Sequence, residues 1–353
     1  MTRYVPVLRT KKAEWKALLE LTDDVRQIIT PCLELLPREL AADSSDDRAH
    51  AVRRFAKRIR TSWGPRPILV DISLLSSSVR HETVMQLARA AERYSVSPIV
   101  VLSLFEEPPV YAAARQAAAA GILRLALRVD YSELEKDDAA DYIDMALDNL
   151  DTSPAETHLL TDYGVIDIAS PNYEWLAERV PCTPSWREFV LLGGSFLRDL
   201  NGLAVGTRAH QRWDWFHWES WARVARHRMR LPVFSDYTVQ HAVYHEPVEG
   251  SNPSASIRYA ARNHYWAIVR GEALYNRRTG EPRYDQYFGN AQVLVAHDAF
   301  EGEHYSFGDR YISDVAARRD GPGTPTTWLA AGINHHITLA ARQAKDVAEG
   351  SSA

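Results

Sequence analysis

The 353-residue sequence predicts an α/β fold: a TIM-like (β/α)8 barrel with a C-terminal α+β cap or extension. Short runs of branched apolar residues alternate eight times with segments of helical period, which indicates parallel strands joined by right-handed crossovers. Most runs are continuously apolar, as is typical of strands buried on both faces. We therefore expect a barrel over residues 1–250 and an extension over residues 251–353, packed on the barrel as one unit.

The eight apolar runs and the helical segments between them follow one another along the first two thirds of the chain. The predicted strands are Tyr4–Arg9, Ile28–Leu35, Pro67–Asp71, Pro98–Leu104, Ile122–Val129, His158–Asp162, Phe189–Leu192 and Leu231–Phe234. The predicted helices are Ala13–Ile28, Ala49–Ile59, Val84–Tyr94, Ala112–Ala120, Ala139–Leu150, Asn172–Val180 and His210–Met229. Apolar residues fall on one face of the first two helices, and the fourth is rich in alanine, the strongest helix former. Pro31 and Pro98 stand at strand starts, where a missing N–H costs little.

The pattern changes after the eighth strand. Ser251–Ser256 is a polar, turn-rich stretch that marks the boundary. Beyond it we expect strands at Ile257–Tyr259 and Tyr265–Val269, and helices at Gln286–His297 and Trp328–Val347.

Composition restricts the class of protein. Hydrophobic residues make up 46% and charged residues 25%, the ordinary globular balance, which excludes a disordered, collagen-like or coiled-coil chain. The net charge of −5 gives no global basic surface for nucleic acid, although a local basic groove stays open. The cysteines Cys32 and Cys182 are too few for a disulfide framework or a cysteine zinc site. Without an 18-residue apolar run or a signal peptide, we expect a cytoplasmic protein with no membrane span.

In barrels of this type, reacting groups lie at the C-terminal ends of the strands. Reading the eight ends gives Arg9, Glu34, Asp71, Ser103, Asp130, Asp162, Ser195 and Asp236. Several carboxylates in one mouth could hold a divalent cation or tune a proton-transferring acid, so we expect Glu34, Asp71, Asp162 and Asp236 to line one mouth. The alternative is that such aspartates cap the next helix. Asp71 is the best single candidate, because it directly follows the most apolar strand, and Asp130 is the weakest.

Three further features carry weaker signals. Gly193–Ser195 resembles a loop that approaches phosphate through backbone N–H groups, but such turns are frequent. Arg208–Arg230 holds six arginines and four tryptophans, which either stack on bases or, as we favour, pack as a barrel helix. His335 and His336 are adjacent in the last predicted helix, so they point in different directions, and at most one is expected to face a site. Dinucleotide, P-loop, nucleophile-elbow and zinc-protease signatures do not occur.

These residues and segments together resemble the beta protein family, which is named from a protein of a T-even bacteriophage. Matching segments include YVPVLRTKKAEWKAL at the start, ITPCLEL and PILVDISLL in the barrel, and GPGTPTTWLAAGINHHITLA at the end. The tryptophan, glycine, asparagine and paired histidines of the last segment are the most specific part. Arg9 departs from the family pattern, where lysine is frequent, so lysine-specific chemistry such as a Schiff base is lost. In the FSDY segment Ser235 stands where glycine is usual.

The resemblance implies a site but supplies no reaction. The family pattern falls on the polar strand-end residues and on positions of the C-terminal part. These positions are Glu34, Asp71, Asp162, Ser195, Asp236, Tyr237, Arg258, Tyr259, Asp309, Trp328, His335 and His336. If the C-terminal part folds over the barrel mouth, Arg258, Tyr259 and one of the two histidines would face Asp71 and Glu34. The resemblance also implies a phage or mobile-element setting, including antiviral defence.

Two functions fit these residues. The first is a barrel hydrolase or lyase acting on a phosphate-bearing or nucleotide-like substrate, with Arg9 and Arg258 binding the anion. Glu34 and Asp71 would then bind a cation or act as base, and His335 would be the acid, while Asp162 and Asp236 complete the acidic mouth. The second is a protein that binds or senses a ligand or phage component without chemistry. In both functions, the expected ligand-binding residues are Arg9, Ser195, Tyr237, Arg258, Tyr259, Asp309 and His336.

Overall fold

The computed structural model describes residues 2–40, 44–167, 185–228, 230–246, 250–262 and 264–350. Its strands are β1 Tyr4–Arg9, β2 Cys32–Glu34, β3 Pro67–Asp71, β4 Ser97–Ser103, β5 Arg124–Asp130, β6 Thr157–Val165, β7 Glu188–Gly194, β8 Gly206–Gln211, β9 Val233–Asp236, β10 Ser254–Ala261 and β11 Tyr265–Ala273. Its helices are α1 Lys12–Leu19, α2 Asp23–Ile28, α3 Ser45–Ser62, α4 Ser77–Tyr94, α5 Pro108–Ala119, α6 Tyr131–Leu134, α7 Ala139–Leu150, α8 Trp213–Arg228, α9 Gln286–Val295, α10 Phe307–Ala316 and α11 Pro325–Ala348.

Eight parallel strands close into a barrel in the order β1-β2-β3-β4-β5-β6-β7-β9, and β9 pairs with β1. All eight are strands that the sequence predicts, and helices lie around them, so the predicted TIM-like barrel is confirmed. The continuously apolar runs form these strands because a barrel strand is covered inside by other strands and outside by helices.

Alternate residues of each strand face the barrel interior or the helix layer. Side chains from seven of the eight strands meet inside as one apolar cluster, and Val233 of β9 packs against it. The cluster is made of Val5, Val7, Cys32, Leu69, Ile99, Val101, Ala126, Leu160, Val190 and Leu192, with Tyr237 and Ala242 above them. The intervening strand residues, such as Tyr4, Leu8 and Phe234, pack instead with helix residues in the larger outer cluster. This alternation decides which polar side chains can reach the barrel mouth.

Several predicted boundaries differ from the structure. The predicted helix Ala13–Ile28 is two helices, because the guanidinium of Arg26 donates to the carbonyls of Leu18, Leu19 and Leu21 and so satisfies the C-terminal end of α1. The predicted helix Asn172–Val180 lies outside the described residues, as does Cys182. Strand β8 and helices α6 and α10 were not predicted.

A second, antiparallel sheet in the order β10-β11-β8 forms the extension together with α9 and α10. Both predicted extension strands are present and longer than predicted. The third strand, β8, comes from the stretch between barrel strands β7 and β9, so the extension sheet takes chain from both sides of residue 250. This interleaving ties the sheet to the barrel.

Helix α11 lies on the barrel wall. It packs against α1, α2 and β1 on one side and against β10 and α10 on the other. Between the last barrel strand and the first helix, a barrel needs its eighth helix, and α11 fills that position. This helix therefore does not fold over the mouth, the arrangement considered above for the C-terminal part. No helix in the described ranges has both the length and the apolarity to cross a bilayer.

Candidate functional site

The barrel mouth is organised around Arg128, which was not predicted as a site residue. Its guanidinium pairs with carboxylates from three other strands: Nη1 with Glu34 at 3.3 Å and with Asp71, and Nη2 with Asp162 at 2.5 Å. Nη2 also donates to the hydroxyl of Tyr237 at 2.7 Å, and that hydroxyl donates to Asp162 at 2.8 Å. Every N–H group of Arg128 is thus directed at a mouth residue.

Strand register places these groups at one level. Glu34 pairs with Asp71 across β2 and β3, and Arg9 pairs with Glu34 across β1 and β2. On β5, Arg128 is two residues beyond the inward-facing Ala126, so the alternation turns it inward as well. The predicted convergence of Glu34, Asp71 and Asp162 therefore exists, with a guanidinium at its centre.

Arg9 joins the mouth to the segment that follows β9. Its Nε lies 3.4 Å from the second oxygen of Glu34, and its Nη2 donates to the carbonyls of His241 and Ala242 at 2.8 and 2.9 Å. The ring of Tyr244 lies 5.2 Å from the same guanidinium. Residues 237–246 consequently lie across the mouth, and the cluster beneath them is almost closed.

The mouth contains three carboxylates and two guanidinium groups. The Arg128 side chain is 13% exposed and the three acids at most 7%. Burial raises the pKa of Glu34, and the nearby Arg128 and Arg9 offset this only in part. For Arg128, burial alone would lower the pKa, but Tyr237, Asp162, Asp71 and Glu34 together hold it well above its usual value. Glu34 thus takes a proton more readily than an exposed glutamate does.

A metal ion does not fit the centre of this cluster, because the Arg128 guanidinium lies between the carboxylates where a cation would bind. In the part of the chain that the structure describes, no group of three His, Cys, Asp or Glu side chains is arranged to hold a metal. Each oxygen of Asp71 already accepts a hydrogen bond, one from the Ser73 backbone and one from Arg128.

The expectation that Asp236 shares this mouth is wrong. The inward positions of β9 are Val233 and Ser235, followed by Tyr237, and Asp236 lies on the other face. Its carboxylate accepts hydrogen bonds from the Tyr4 hydroxyl at 2.5 Å and from His336 Nε2 at 2.7 Å, in the layer between strands and helices.

Asp236 belongs to a second buried polar cluster behind the barrel strands. Arg212 lies within 3.4 Å of both Asp214 and Asp236. The hydroxyl of Ser195, predicted to bind ligand, donates to Asp214 and turns away from the mouth. Burial lowers the pKa of His336 more than Asp236 raises it, so this histidine is a neutral donor to the carboxylate. The cluster joins β9, α8 and α11 and is closed to solvent.

A third cluster, in the extension, contains three other predicted residues. Asp309 accepts hydrogen bonds from Tyr259 at 2.6 Å and from His335 Nδ1 at 2.9 Å, and His335 Nε2 lies 2.8 Å from the carbonyl of Ala260. Both ring nitrogens of His335 therefore face acceptor oxygens, one of a carboxylate and one of the backbone. Asp309 and His335 are fully buried. The predicted role of His335 as acid at the mouth, and of Tyr259 and Asp309 as ligand-binding residues there, is therefore wrong.

Two weaker sequence signals are explained by packing. Trp215, Trp218 and Trp221 of α8 are buried, which agrees with the barrel-helix interpretation of this stretch. At Gly194, a Cβ atom would lie 2.9 Å from the ring of Tyr237, so glycine is needed there for close packing under the mouth.

Arg128 could have been found from the sequence. Arg124 stands at the start of β5, but Arg128 lies inside it, among apolar residues, and a charge in a strand buried on both faces needs partners. Reading only the last residue of each strand selected Asp130, which is exposed, instead of the inward residue two positions earlier.

The chain was compared with known proteins. The family model described as Beta protein matches residues 4–342, nearly the whole chain. No curated protein matches it. Among solved structures, the catalytic core of xylanase A is 11% identical with a TM-score of 0.38, covering 80% of this chain and 94% of that one. The tryptophan synthase alpha chain of Legionella pneumophila subsp. pneumophila is 11% identical with a TM-score of 0.33, covering 67% and 78%. These likenesses are too distant to bear on activity.

Proposed function

The chain belongs to the Beta protein family, and we propose that it is an acid–base enzyme, a hydrolase or lyase, whose reaction takes place at the barrel mouth. The observation that carries this proposal is the cluster of Glu34, Asp71 and Asp162 around Arg128 at the C-terminal strand ends. This is the face on which barrels build their active sites.

Glu34 is the proposed proton-transferring residue. Its pKa is raised by burial, which brings the acid closer to the range in which it can both hold and release a proton near neutral pH. Asp71 and Asp162 bind Arg128 from two sides and fix the position of its guanidinium, so they act as positioning residues. The fixed guanidinium would stabilise negative charge that develops on the substrate.

The proposed substrate is a small phosphate-bearing or nucleotide-like molecule. With Glu34 protonated, the two guanidinium groups balance Asp71 and Asp162, and the mouth no longer repels an anion. Arg128 is more exposed than the acids it binds, so it is the cation that an entering anion would meet. Entry requires residues 237–246 to move, since Arg9 holds the carbonyls of His241 and Ala242.

A second candidate function is binding or sensing without chemistry. It is favoured by the complete pairing of the Arg128 N–H groups, because a ligand would have to replace existing ion pairs rather than fill open donors. The phage-related or defence setting that the family suggests, and the cytoplasmic location expected from composition, belong to the proposal in either form.

The experiment is a turnover screen with matched variants. Purified protein is incubated with sets of phosphate monoesters, nucleotides and glycosides, and the loss of each compound is followed by mass spectrometry. Glu34→Gln keeps the size of the side chain but cannot transfer a proton. Glu188→Gln is the control, because Glu188 pairs with His158 at 3.1 Å at the opposite end of the same barrel.

The acid–base proposal expects turnover by the wild type and the Glu188→Gln variant and a loss of at least a hundredfold in Glu34→Gln, the size typical of removing a general acid or base. Equal turnover in Glu34→Gln would refute the role of Glu34. Binding without turnover, detected by calorimetry and weakened in an Arg128→Lys variant, would favour the sensing function instead.

A further inference from the structure

A cavity lies outside the barrel mouth, between the loop after β7 and the extension. Its volume is about 520 Å³, within the range of sites for small organic ligands. The wall is formed by residues 198–201, by the start of β10, by Tyr287 of α9 and by the first turn of α11. Its polar lining includes Arg198, Asn252, Ser254, Ser256 and Arg258.

Arg258 is the unusual residue of this cavity. It is partly exposed to the cavity, donates from Nη1 to the carbonyl of Val239 at 2.8 Å, and lies 5.0 Å from the ring of Phe196. It forms an ion pair with no carboxylate of the described ranges. Asp199 also lines the cavity, but its carboxylate accepts the backbone N–H of Asn201 at 2.8 Å.

Burying the charge of an arginine without an anionic partner costs free energy of folding. Burial lowers the pKa of Arg258 to about 10, so the group keeps its charge at neutral pH. Every other arginine described above as buried, Arg9, Arg128 and Arg212, has at least one carboxylate partner. The first turn of α11 adds the partial positive charge of a helix N-terminus on the same side of the cavity.

We propose that this cavity binds a small organic oxyanion, a phosphate ester or a carboxylate, whose charged group pairs with Arg258 and whose apolar part lies against Leu274, Trp328 and Leu329. A guanidinium forms paired hydrogen bonds with either oxyanion, so the two share one recognition chemistry. Arg258 was expected at the barrel mouth from the family pattern, but in the structure its side chain lines this separate cavity.

The site is also connected to the segment that covers the mouth. Arg258 holds the carbonyl of Val239, and Arg9 holds those of His241 and Ala242, so both arginines bind residues 237–246. An anion that binds Arg258 would compete with the carbonyl oxygen of Val239 for the guanidinium.

Calorimetry in phosphate-free, low-salt buffer tests the proposal with four probes: inorganic phosphate, phenyl phosphate, benzoate and uncharged phenol. Phenyl phosphate and benzoate separate the two oxyanion classes, and phenol shows whether the charge is needed. Arg258→Gln removes the charge but keeps a donor for Val239. Ser256→Phe places a ring in the cavity and keeps the Arg258 charge, and circular dichroism confirms that each variant is folded.

Arg262→Gln is the matched control, because Arg262 lies just after the same strand but pairs with Glu301 at 2.7 Å at the surface. We expect at least one organic anion to bind the wild type and Arg262→Gln with millimolar or better affinity, and at least tenfold more weakly to Arg258→Gln and Ser256→Phe. The proposal is overturned if no anionic probe binds the wild type below 10 mM, if phenol binds as well as the anions, or if either cavity variant binds like the wild type.

Discussion

Replacing Arg128 with methionine tests whether this guanidinium holds the mouth together. The substitution removes the cation between three buried carboxylates, Glu34, Asp71 and Asp162, and leaves them facing one another. Removing one partner of a buried ion pair costs about 3–5 kcal/mol, because the remaining charge stays buried without compensation. We expect the free energy of unfolding to fall by at least this amount at pH 8.

The loss should depend on pH in a defined direction. Burial already raises the pKa of Glu34, and removing Arg128 takes away the cation that lowers it most. Glu34 and the acids beside it will therefore bind protons more tightly in the folded state. Between the unfolded pKa of about 4.3 and the raised folded value, the folded state binds more protons, so stability falls as pH rises. Each extra bound proton adds about 1.4 kcal/mol per pH unit to this slope.

Urea unfolding between pH 5 and pH 8 measures the effect. Arg80→Met is the matched control, because Arg80 pairs with a single buried carboxylate, Glu106, at 2.9 Å. We expect Arg128→Met to lose more stability at pH 8 and to show a steeper negative slope, equivalent to more than one proton. If the two variants show the same loss and the same slope, the mouth is not an interdependent charge cluster and the reasoning fails.

Three other predictions follow from the same structure. In Gly194→Val the added side chain meets the ring of Tyr237, and we expect a loss of about 1–3 kcal/mol from overpacking in urea unfolding. Burial would raise the pKa of Asp309, but the charge and hydrogen bond of His335 help to lower it, so the stability that this carboxylate contributes at neutral pH is lost as pH falls through the lowered pKa. In an acid titration followed by circular dichroism, His335→Gln should lose less stability than the wild type. An identical loss would contradict the pairing. Removal of residues 251–353 takes away the helix that fills the eighth position of the barrel, and we expect the remainder to lack cooperative thermal unfolding.

The barrel could be predicted because its strands are buried on both faces, and this leaves continuous apolar runs such as PILVD in the sequence. Strand β8 left no such run: its residues GTRAHQ are polar and mostly half-buried, since it lies at the edge of the extension sheet. The helical pattern of α11 does not show which surface the helix packs against, so its position on the barrel wall could not be read from the sequence. Topology of this kind depends on long-range contacts that local periodicity does not contain.

The residues of the candidate site could be predicted where the strand end and the inward-facing position coincide. Glu34, Asp71 and Asp162 are inward-facing residues at strand ends, and reading the ends found them. Asp236 is also at a strand end but lies one residue out of phase, and a shift of one residue reverses the face on which a side chain lies. Arg128 was missed for a different reason: Asp130 ends β5 on the same face but is exposed, and the buried charged residue of that face comes two positions earlier.

The paired histidines of α11 show how one helix serves two parts of the molecule. His336 donates to Asp236 of barrel strand β9, whereas His335 binds Asp309 of α10 and the carbonyl of Ala260 in β10. Adjacent side chains on a helix point about 100° apart, so two consecutive histidines can reach different partners. The two rings also differ in their partners: His335 faces two acceptor oxygens, whereas His336 has one carboxylate partner and burial lowers its pKa. Each histidine satisfies a buried carboxylate on its own side of the helix, so the pair has a structural reason to be adjacent that requires no role at the mouth.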